Sequence, residues 1–334
     1  MTPTAAQVAK ARAVTEWYRT TYYATSDDLG LASTFCDPTK VGHFAVGRAA
    51  LESGDDDACF RLLVTVAMFQ RLRDAFVMRI LLSISAGDAL ELTDSAQLAA
   101  LMKRSGCPNL RSNERLLAAC NLRKDAEGRG TCDFDSSCEC HLKRHTELLK
   151  RYGHFGKMPT SAALAIREGG GGLKALHDAV WASTKCPEER AVALITELCK
   201  VWRISDKLSA MYLSLLCAPN LGLLTPPWSD GVDWTWFVVV DRNVDLFLSM
   251  VGYDGPGTYA ARRAFVRALA REVDLSAIDP EWPSFHPRLV QQAMYLFMSA
   301  SNRGGSTKDC SRLDRCATCA EALRQLCPVR NLKA

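Results

Sequence analysis

The stretch DDDACFRLLVTVAMFQ, residues 55–70, decides the fold class of this chain. Its apolar residues Leu63, Val64, Ala67 and Met68 fall on one face when the chain is wound at about 3.6 residues per turn. Three aspartates precede them and favour a helix N-terminus, because negative charge interacts well with that end of the helix dipole. The stretch therefore predicts a helix with one buried face.

The same periodicity continues along most of the chain. Three more apolar sets have helical spacing and are most simply buried helix faces: Phe76, Val77, Ile80 and Leu81; Leu208, Met211, Tyr212, Leu215 and Leu216; Leu289, Ala293, Leu296 and Phe297. One apolar run, residues 236–240, is strand-like and could equally be an extended loop. Glycines and prolines break the pattern between these segments. The sequence predicts an all-α fold.

The composition is that of an ordinary globular protein. The 334 residues are 48% hydrophobic and 23% charged, with a net charge of +4, so any nucleic-acid-binding face must come from local clustering. The chain has neither a secretory apolar segment near Met1 nor the roughly 18 consecutive apolar residues of a membrane span. We expect a protein that is not secreted and has no membrane partner. Its 14 cysteines then favour thiolate–metal bonding over disulfides.

Four cysteines lie close together near the C-terminus. Cys310, Cys316, Cys319 and Cys327 have the spacing C-x5-C-x2-C-x7-C, which allows four thiolates to surround one metal centre. The outer spacers are too long for a zinc ribbon, so the spacing favours a cubane iron–sulfur cluster, with zinc as the alternative. Chance clustering is the remaining interpretation.

A second cysteine group lies in the middle of the chain, in a segment that has the composition of an inserted loop. It consists of Cys120, Cys132, Cys138 and Cys140, with His141 and His145 directly after them. The two histidines are four residues apart and could face one ligand on a helix. A structural zinc site and a set of thiols without a ligand are both compatible with this spacing. Cys107, further upstream, is expected to be a small buried residue.

The C-terminal cysteines follow two segments, ISDKLSAMYL (204–213) and VVVDRNVDLF (238–247). In this order the three segments resemble the helix-hairpin-helix DNA glycosylases, specifically their iron–sulfur branch around endonuclease III. The resemblance covers roughly residues 60–327. It differs in the hairpin, because residues 201–206 contain no glycine and Asp206 adds a negative charge.

The resemblance implies a function and two catalytic residues. The expected activity is excision of a damaged or modified base from DNA by N-glycosidic cleavage, with or without strand cleavage at the abasic site. Lys207 would attack the sugar as a nucleophile, and Asp241 would stabilise the positive charge that develops on it. From the residues alone, Lys207 could equally be a solvated lysine in the first turn of a helix. Asp241 could equally be a helix N-cap.

The resemblance also implies residues that bind DNA and a cofactor. Gln70 would fill the space left by an extruded base, with Arg71 beside it. Cys310, Cys316, Cys319 and Cys327 would hold a 4Fe-4S cluster that braces a loop, in which Arg312 and Arg315 would contact DNA phosphates. The tryptophans that precede Asp241 could stack on the extruded base or pack in the core: Trp228, Trp234 and Trp236.

The resemblance further implies a two-domain architecture. Residues 59–232 would form a helical barrel domain with the hairpin, and residues 1–58 together with 233–334 would form the cluster domain. A cleft between them would hold Lys207 and Asp241 face to face. We expect a monomer that binds double-stranded DNA with an extruded base, in the cytoplasm at the nucleoid or in the nucleus. The alternatives are a non-catalytic nucleic-acid-binding protein on the same fold and a zinc-stabilised helical interaction protein.

Overall fold

The computed structural model describes residues 1–23, 31–133, 140–150, 155–299 and 319–328. Within these ranges the chain is mostly helical, which confirms the predicted all-α class. The helices are α1 Ala5–Trp17, α2 Leu31–Cys36, α3 Pro38–Val41, α4 Arg48–Glu52, α5 Asp56–Met68, α6 Asp74–Leu82, α7 Ala86–Thr93, α8 Ser95–Ser105, α9 Asn113–Ala119, α10 His141–Leu149, α11 Met158–Glu168, α12 Leu173–Ser183, α13 Pro187–Leu198, α14 Asp206–Cys217, α15 Arg242–Met250, α16 Tyr259–Val273, α17 Pro287–Met298 and α18 Glu321–Leu326. Two short strands, β1 Arg123–Lys124 and β2 Gly130–Thr131, form an antiparallel pair.

The stretch that predicted a helix forms α5. Asp55 is its N-cap, and its carboxylate accepts a hydrogen bond from the Ala58 amide at 2.8 Å. The cap satisfies an amide that has no partner within the helix, and the two aspartates of the first turn add favourable charge. Most residues from Ala58 to Met68 are buried. This helix is therefore held both by its cap and by its apolar face.

The other predicted apolar faces lie on α6, α14 and α17, as the periodicity indicated. Phe76 is an exception, since 46% of it is exposed. The Arg79 guanidinium lies over its ring at 5.2 Å, so a cation covers part of this face.

The strand-like run at residues 236–240 does not pair in a sheet. A 3₁₀ turn, Trp234–Trp236, begins it, and Phe237 to Val240 follow as a buried, extended segment. The Tyr259 hydroxyl takes the place of a neighbouring strand: it donates to the Val238 carbonyl at 2.8 Å and accepts from the Val240 amide at 3.3 Å. The loop interpretation of this run is thus the one that the structure bears out.

Two compact units emerge from the contacts within the chain. The central unit comprises Ala32–Pro219 and Leu223–Asp233, and the terminal unit comprises Met1–Leu31, Asn220–Gly222 and Trp234–Ala334. No helix in the described ranges is long and apolar enough to cross a membrane.

The core of the central unit includes the packing of α14 against α5. The Tyr212 hydroxyl, fully buried, donates to the Cys59 carbonyl at 3.2 Å. Where α14 ends, the Trp228 amide donates to the Leu216 carbonyl, and the neighbouring Pro227 lies against Gly54 just before α5. The C-terminal end of α14 therefore lies beside the N-terminal end of α5.

The core of the terminal unit forms where α1, α15 and α16 pack against α17. Trp17 of α1 meets Phe297 of α17 edge to face, with 5.1 Å between ring centroids. The helices α16 and α18 also pack against α1. This unit thus joins residues from the two ends of the sequence.

Candidate functional site

Lys207 lies in the first turn of α14, the second helix of a helical hairpin. α13 and α14 pack against each other and are joined by residues 199–205. The turn contains Arg203 at a φ of +67°, in the left-handed region that usually requires glycine. Lys207 itself is half-buried, and Asp206 beside it is exposed. The backbone conformation expected of a glycine is thus present here without one.

A buried polar network holds the turn of this hairpin. The Ser161 hydroxyl accepts from the Trp202 amide at 2.7 Å and donates to the Asn113 side chain at 2.7 Å. The Asn113 amide group in turn donates to the Lys200 carbonyl at 2.8 Å. Ser161 and Asn113 are both buried. No local sequence pattern indicates the role of these two residues, because they are distant from the hairpin along the chain.

Replacing Ser161 with alanine is expected to destabilise the protein by about 1–3 kcal/mol, because the Trp202 amide and the Asn113 oxygen lose a buried partner. Urea unfolding followed by circular dichroism measures the loss. Ser183→Ala is the control, since this exposed serine bonds only within its own helix and should change stability by less than about 0.5 kcal/mol. Equal losses for the two variants would contradict the role of the network.

Asp241, in the terminal unit, is the N-cap of α15. One of its carboxylate oxygens accepts from the Asn243 amide at 3.0 Å and from the Val244 amide at 2.9 Å. The capping interpretation is therefore correct, and it leaves the second carboxylate oxygen for another role. The buried segment from Phe237 to Val240 leads directly into Asp241 and fixes its backbone.

Arg288 lies in the same unit and was not predicted as a site residue. It is buried at the start of α17, and its guanidinium donates to Gln292 Oε1 at 3.0 Å and to the Gln291 side chain. Burial lowers the pKa of Arg288 to about 10, and nearby groups that include Tyr18 and Asp241 offset part of this effect. A buried cation thus lies within electrostatic reach of Asp241.

The tryptophans before Asp241 have different environments. Trp228 is buried and packs edge to face against Tyr212, so the core interpretation applies to it. Trp236 is half-buried, and two guanidiniums of α16 lie over its ring, Arg263 at 4.2 Å and Arg267 at 5.0 Å. Trp236 therefore lies on a basic part of the terminal unit.

Gln70 and Arg71 follow the C-terminal end of α5. The side-chain Nε2 of Gln70 donates to the Ala67 carbonyl at 2.7 Å, so this side chain closes the end of its own helix. Arg71 is exposed and has a φ of +57°. The N-terminal end of α5 lies beside the C-terminal end of α14, as described above. Gln70 follows the opposite end of α5, and Lys207 lies at the opposite end of α14, so both residues are away from that contact. Their roles at DNA stay predictions.

Of the C-terminal cluster, Cys310 and Cys316, with Arg312 and Arg315, lie outside the described residues. Cys319 and Cys327 are half-buried and flank α18. The four thiols are a donor set that suits an iron–sulfur cluster chemically. In the part of the chain that the structure describes, no group of three or more histidine, cysteine, aspartate or glutamate side chains already has the arrangement of a metal site.

The two histidines of the central cysteine group are buried and engaged elsewhere. His141 Nε2 lies 2.9 Å from the Thr160 hydroxyl, and His145 Nε2 lies 3.0 Å from a Glu91 carboxylate oxygen. Burial lowers the pKa of His141 to about 3 and also lowers the pKa of His145. The His141 ring is therefore neutral near pH 7. Cys138 lies outside the described residues.

Glu91 should contribute a pH-dependent part of the stability. The hydrogen bond with His145, followed by that with Arg144, lowers the pKa of Glu91 to about 2. Because the folded-state pKa is depressed, the contribution is present above about pH 4.3 and is lost as the pH falls towards 2. The difference in unfolding free energy between the wild type and Glu91→Gln should shrink over that interval in urea titrations. The exposed Glu281, changed to glutamine, is the control and should give a smaller pH-dependent difference.

Comparisons of the chain with models of protein families, with curated proteins and with solved structures give no match. The expected membership of the helix-hairpin-helix glycosylases therefore stays a prediction that rests on the order of the segments in the chain.

Proposed function

We propose that this protein is a DNA glycosylase that removes a damaged or modified base, with Lys207 as nucleophile and Asp241 as the stabilising carboxylate. The observation that carries the proposal is the hairpin formed by α13 and α14. Its turn has a left-handed residue, Arg203, and Lys207 follows in the first turn of α14. This is the conformation that the glycine-containing hairpin of the resembled family would need at this place.

The chemistry of Lys207 follows from its amine. A neutral amine can form a bond to the anomeric carbon of the nucleotide as the bond to the base breaks, and the base leaves with the bonding electrons. Opening of the sugar ring then gives a Schiff base, from which β-elimination can cleave the strand.

The role of Asp241 is electrostatic. The sugar gains positive charge as the bond to the base breaks, and a carboxylate nearby stabilises that charge. The helix cap holds one oxygen of Asp241 in place, so its position needs no reorganisation during the reaction. The 4Fe-4S cluster proposed at Cys310, Cys316, Cys319 and Cys327 would brace the DNA-facing loop with Arg312 and Arg315.

The substitution Asp241→Asn tests the charge separately from the cap. An asparagine oxygen still accepts the two amide hydrogen bonds, so α15 should stay intact. Base release should fall by about 100-fold or more, because the compensating negative charge is gone. Single-turnover excision assays measure the rate, and circular dichroism checks the fold. An unchanged rate would remove Asp241 from the proposed mechanism.

The experiment that tests the function is a screen for base release. The purified protein is incubated with duplex oligonucleotides that carry different modified bases, and released bases are identified by mass spectrometry. The proposal expects release from at least one substrate. Absence of release and of covalent adducts across a broad panel would overturn it.

One observation favours a second candidate, a non-catalytic nucleic-acid-binding protein. Asp206 is exposed at the start of α14, where its charge would oppose a phosphate. Binding without turnover in the same screen would support this candidate. Replacement of Asp206 by asparagine should then strengthen binding and leave catalysis absent.

A further inference from the structure

Four cysteines of the central unit line one cavity: Cys107, Cys120, Cys132 and Cys140. Cys140 is the N-cap of α10, and the cap position makes no side-chain hydrogen bond. Burial, together with charge interactions with the other three thiols, raises the pKa of the Cys140 thiol to about 11. The four side chains are therefore neighbours in space, although 33 positions separate the first from the last.

Local packing brings these cysteines together in two pairs. A 3₁₀ turn, Pro108–Leu110, directly follows Cys107 and packs on α9, at whose C-terminal end Cys120 lies. The antiparallel strands β1 and β2 then reverse the direction of the chain, and Cys132 directly follows β2. On either side of this hairpin, Asn121 and Asp133 bond to each other reciprocally, with the Asp133 amide donating to Asn121 Oδ1 at 3.1 Å. The residues next to Cys120 and Cys132 are thus fixed to each other.

Gly130 brings the hairpin onto the helix that carries Cys140. β2 packs against α10, and a Cβ atom at Gly130 would come within 2.5 Å of the Lys143 backbone. Only a residue without a side chain permits this approach. Cys132, two positions later, is therefore held close to Cys140.

The cavity suits a single ion. Its volume is about 20 Å³, which is enough for a water-sized sphere and therefore for a single ion. Leu110, Leu122 and Leu142 also line it and would shield an ion from water. An apolar surround of this kind strengthens metal–thiolate bonds, because water competes less well for the metal.

A buried lysine supplies charge beside the cavity. Lys157 is only 3% exposed, and its ammonium donates to the carbonyl of Cys120. Four thiolates carry more negative charge than one divalent ion neutralises. The Lys157 ammonium, which is buried and bonded to the backbone of the proposed ligand Cys120, would offset part of the remaining negative charge.

We propose that Cys107, Cys120, Cys132 and Cys140 bind one structural Zn²⁺ as four thiolates. Soft thiolates in a tetrahedral set favour zinc, with sulfur–metal distances of about 2.3 Å. The side chains lie around the cavity without yet forming that shell, so binding would draw the sulfurs inwards and release their protons. The histidines next to Cys140 are not ligands in this proposal, since neither of them lines the cavity.

The site would stabilise a segment that has little core of its own. Between α9 and α10 the described residues form only two strands of two residues each. Such a short hairpin is marginal in water without packing or a metal. The proposal is independent of the glycosylase function, because it requires neither Lys207 nor Asp241.

The first test uses thiol alkylation of the wild-type protein, with each modified cysteine identified by mass spectrometry. The zinc-loaded protein should protect Cys107, Cys120, Cys132 and Cys140, and a chelator should make them reactive. Cys186, which is half-buried at the start of α13, is the control and should react equally in both states. Protection of Cys138 in place of Cys107 would overturn the proposed ligand set. Unchanged reactivity of all four thiols after chelation would overturn the site itself.

The second test separates this site from the C-terminal cysteines. Zinc per protein chain is measured by elemental analysis in Cys132→Ser and in Cys316→Ser, after both are purified with added Zn²⁺. The proposal expects Cys132→Ser to lose one zinc per chain and Cys316→Ser to keep it. The reverse result would overturn the proposal. The alkylation pattern of the wild type decides the matter if Cys132→Ser fails to fold.

Discussion

Replacing Lys207 with alanine is expected to abolish the covalent trapping of the protein on DNA by borohydride. Borohydride reduces the Schiff base between an amine and the opened sugar, and no other amine in the proposed mechanism forms that bond. Alanine is well tolerated in a helix, so α14 should keep its structure. The measurement is the fraction of protein shifted on a denaturing gel after incubation with a substrate found in the screen. We expect at least a 100-fold decrease.

Lys200→Ala is the matched control for this prediction. Lys200 lies in the same hairpin and is exposed, with its ammonium 2.7 Å from Glu197. Its replacement removes the same charge from the protein as the replacement of Lys207. It should trap as well as the wild type. A full adduct yield from Lys207→Ala, with the adduct mapped to another residue, would show that the nucleophile lies elsewhere. A protein that excises bases but never traps would use water as nucleophile and would leave Lys207 with a positioning role.

Replacing Phe237 with alanine should destabilise the terminal unit by about 3–5 kcal/mol. Phe237 is fully buried and is followed by three more buried residues that lead into Asp241. Its removal leaves a cavity, and the extended segment has no neighbouring strand to hold it in place. Urea unfolding with circular dichroism measures the effect, and a separate transition for the terminal unit would become visible.

Leu246→Ala is the comparison for Phe237→Ala. Leu246 is 42% exposed on α15, in the same unit, so its truncation should cost much less than 2 kcal/mol. If both variants lose the same stability, the segment before Asp241 is not the packed element described above. A loss of excision activity in Phe237→Ala at temperatures where it stays folded would show that this segment positions Asp241.

The helices were predictable because their signal is local. In α5 and α14 the apolar residues repeat within a few positions, and Asp55 marks the beginning of α5 directly. The buried run from Phe237 was ambiguous, since apolar composition does not distinguish a strand from an extended loop. The hydroxyl of Tyr259 decides between them, because it bonds to the backbone of this segment in place of a strand. Tyr259 is 19 positions from Val240 along the chain, so no local pattern includes it.

The candidate site was predictable only in part. The identities of Lys207 and Asp241 and the cap at Asp241 follow from short segments. The turn before Lys207 was harder, because sequence patterns associate a left-handed residue with glycine and here it is Arg203. Ser161 and Asn113 hold this turn through buried hydrogen bonds, which can offset the roughly 1 kcal/mol that such a conformation costs.

Spacing along the sequence does not report the surroundings of the central cysteines. It grouped His141 and His145 with Cys140 because they are adjacent, yet the helix turns both rings towards Thr160 and Glu91. It left out Cys107, which lies 13 positions before Cys120. The 3₁₀ turn after Cys107 packs on α9 and so brings Cys107 close to Cys120. No local sequence pattern indicates this packing.

The terminal unit combines α1 with α16, α17 and α18, which the ribosome makes more than 200 residues later. The central unit is almost one continuous run of the chain, so its residues can pack while synthesis continues. During that time α1 has no partner for Ala11, Val14 and Trp17, which are buried in the finished protein. Through most of its translation, a nascent chain would therefore carry these apolar side chains of α1 without the helices that cover them in the folded protein.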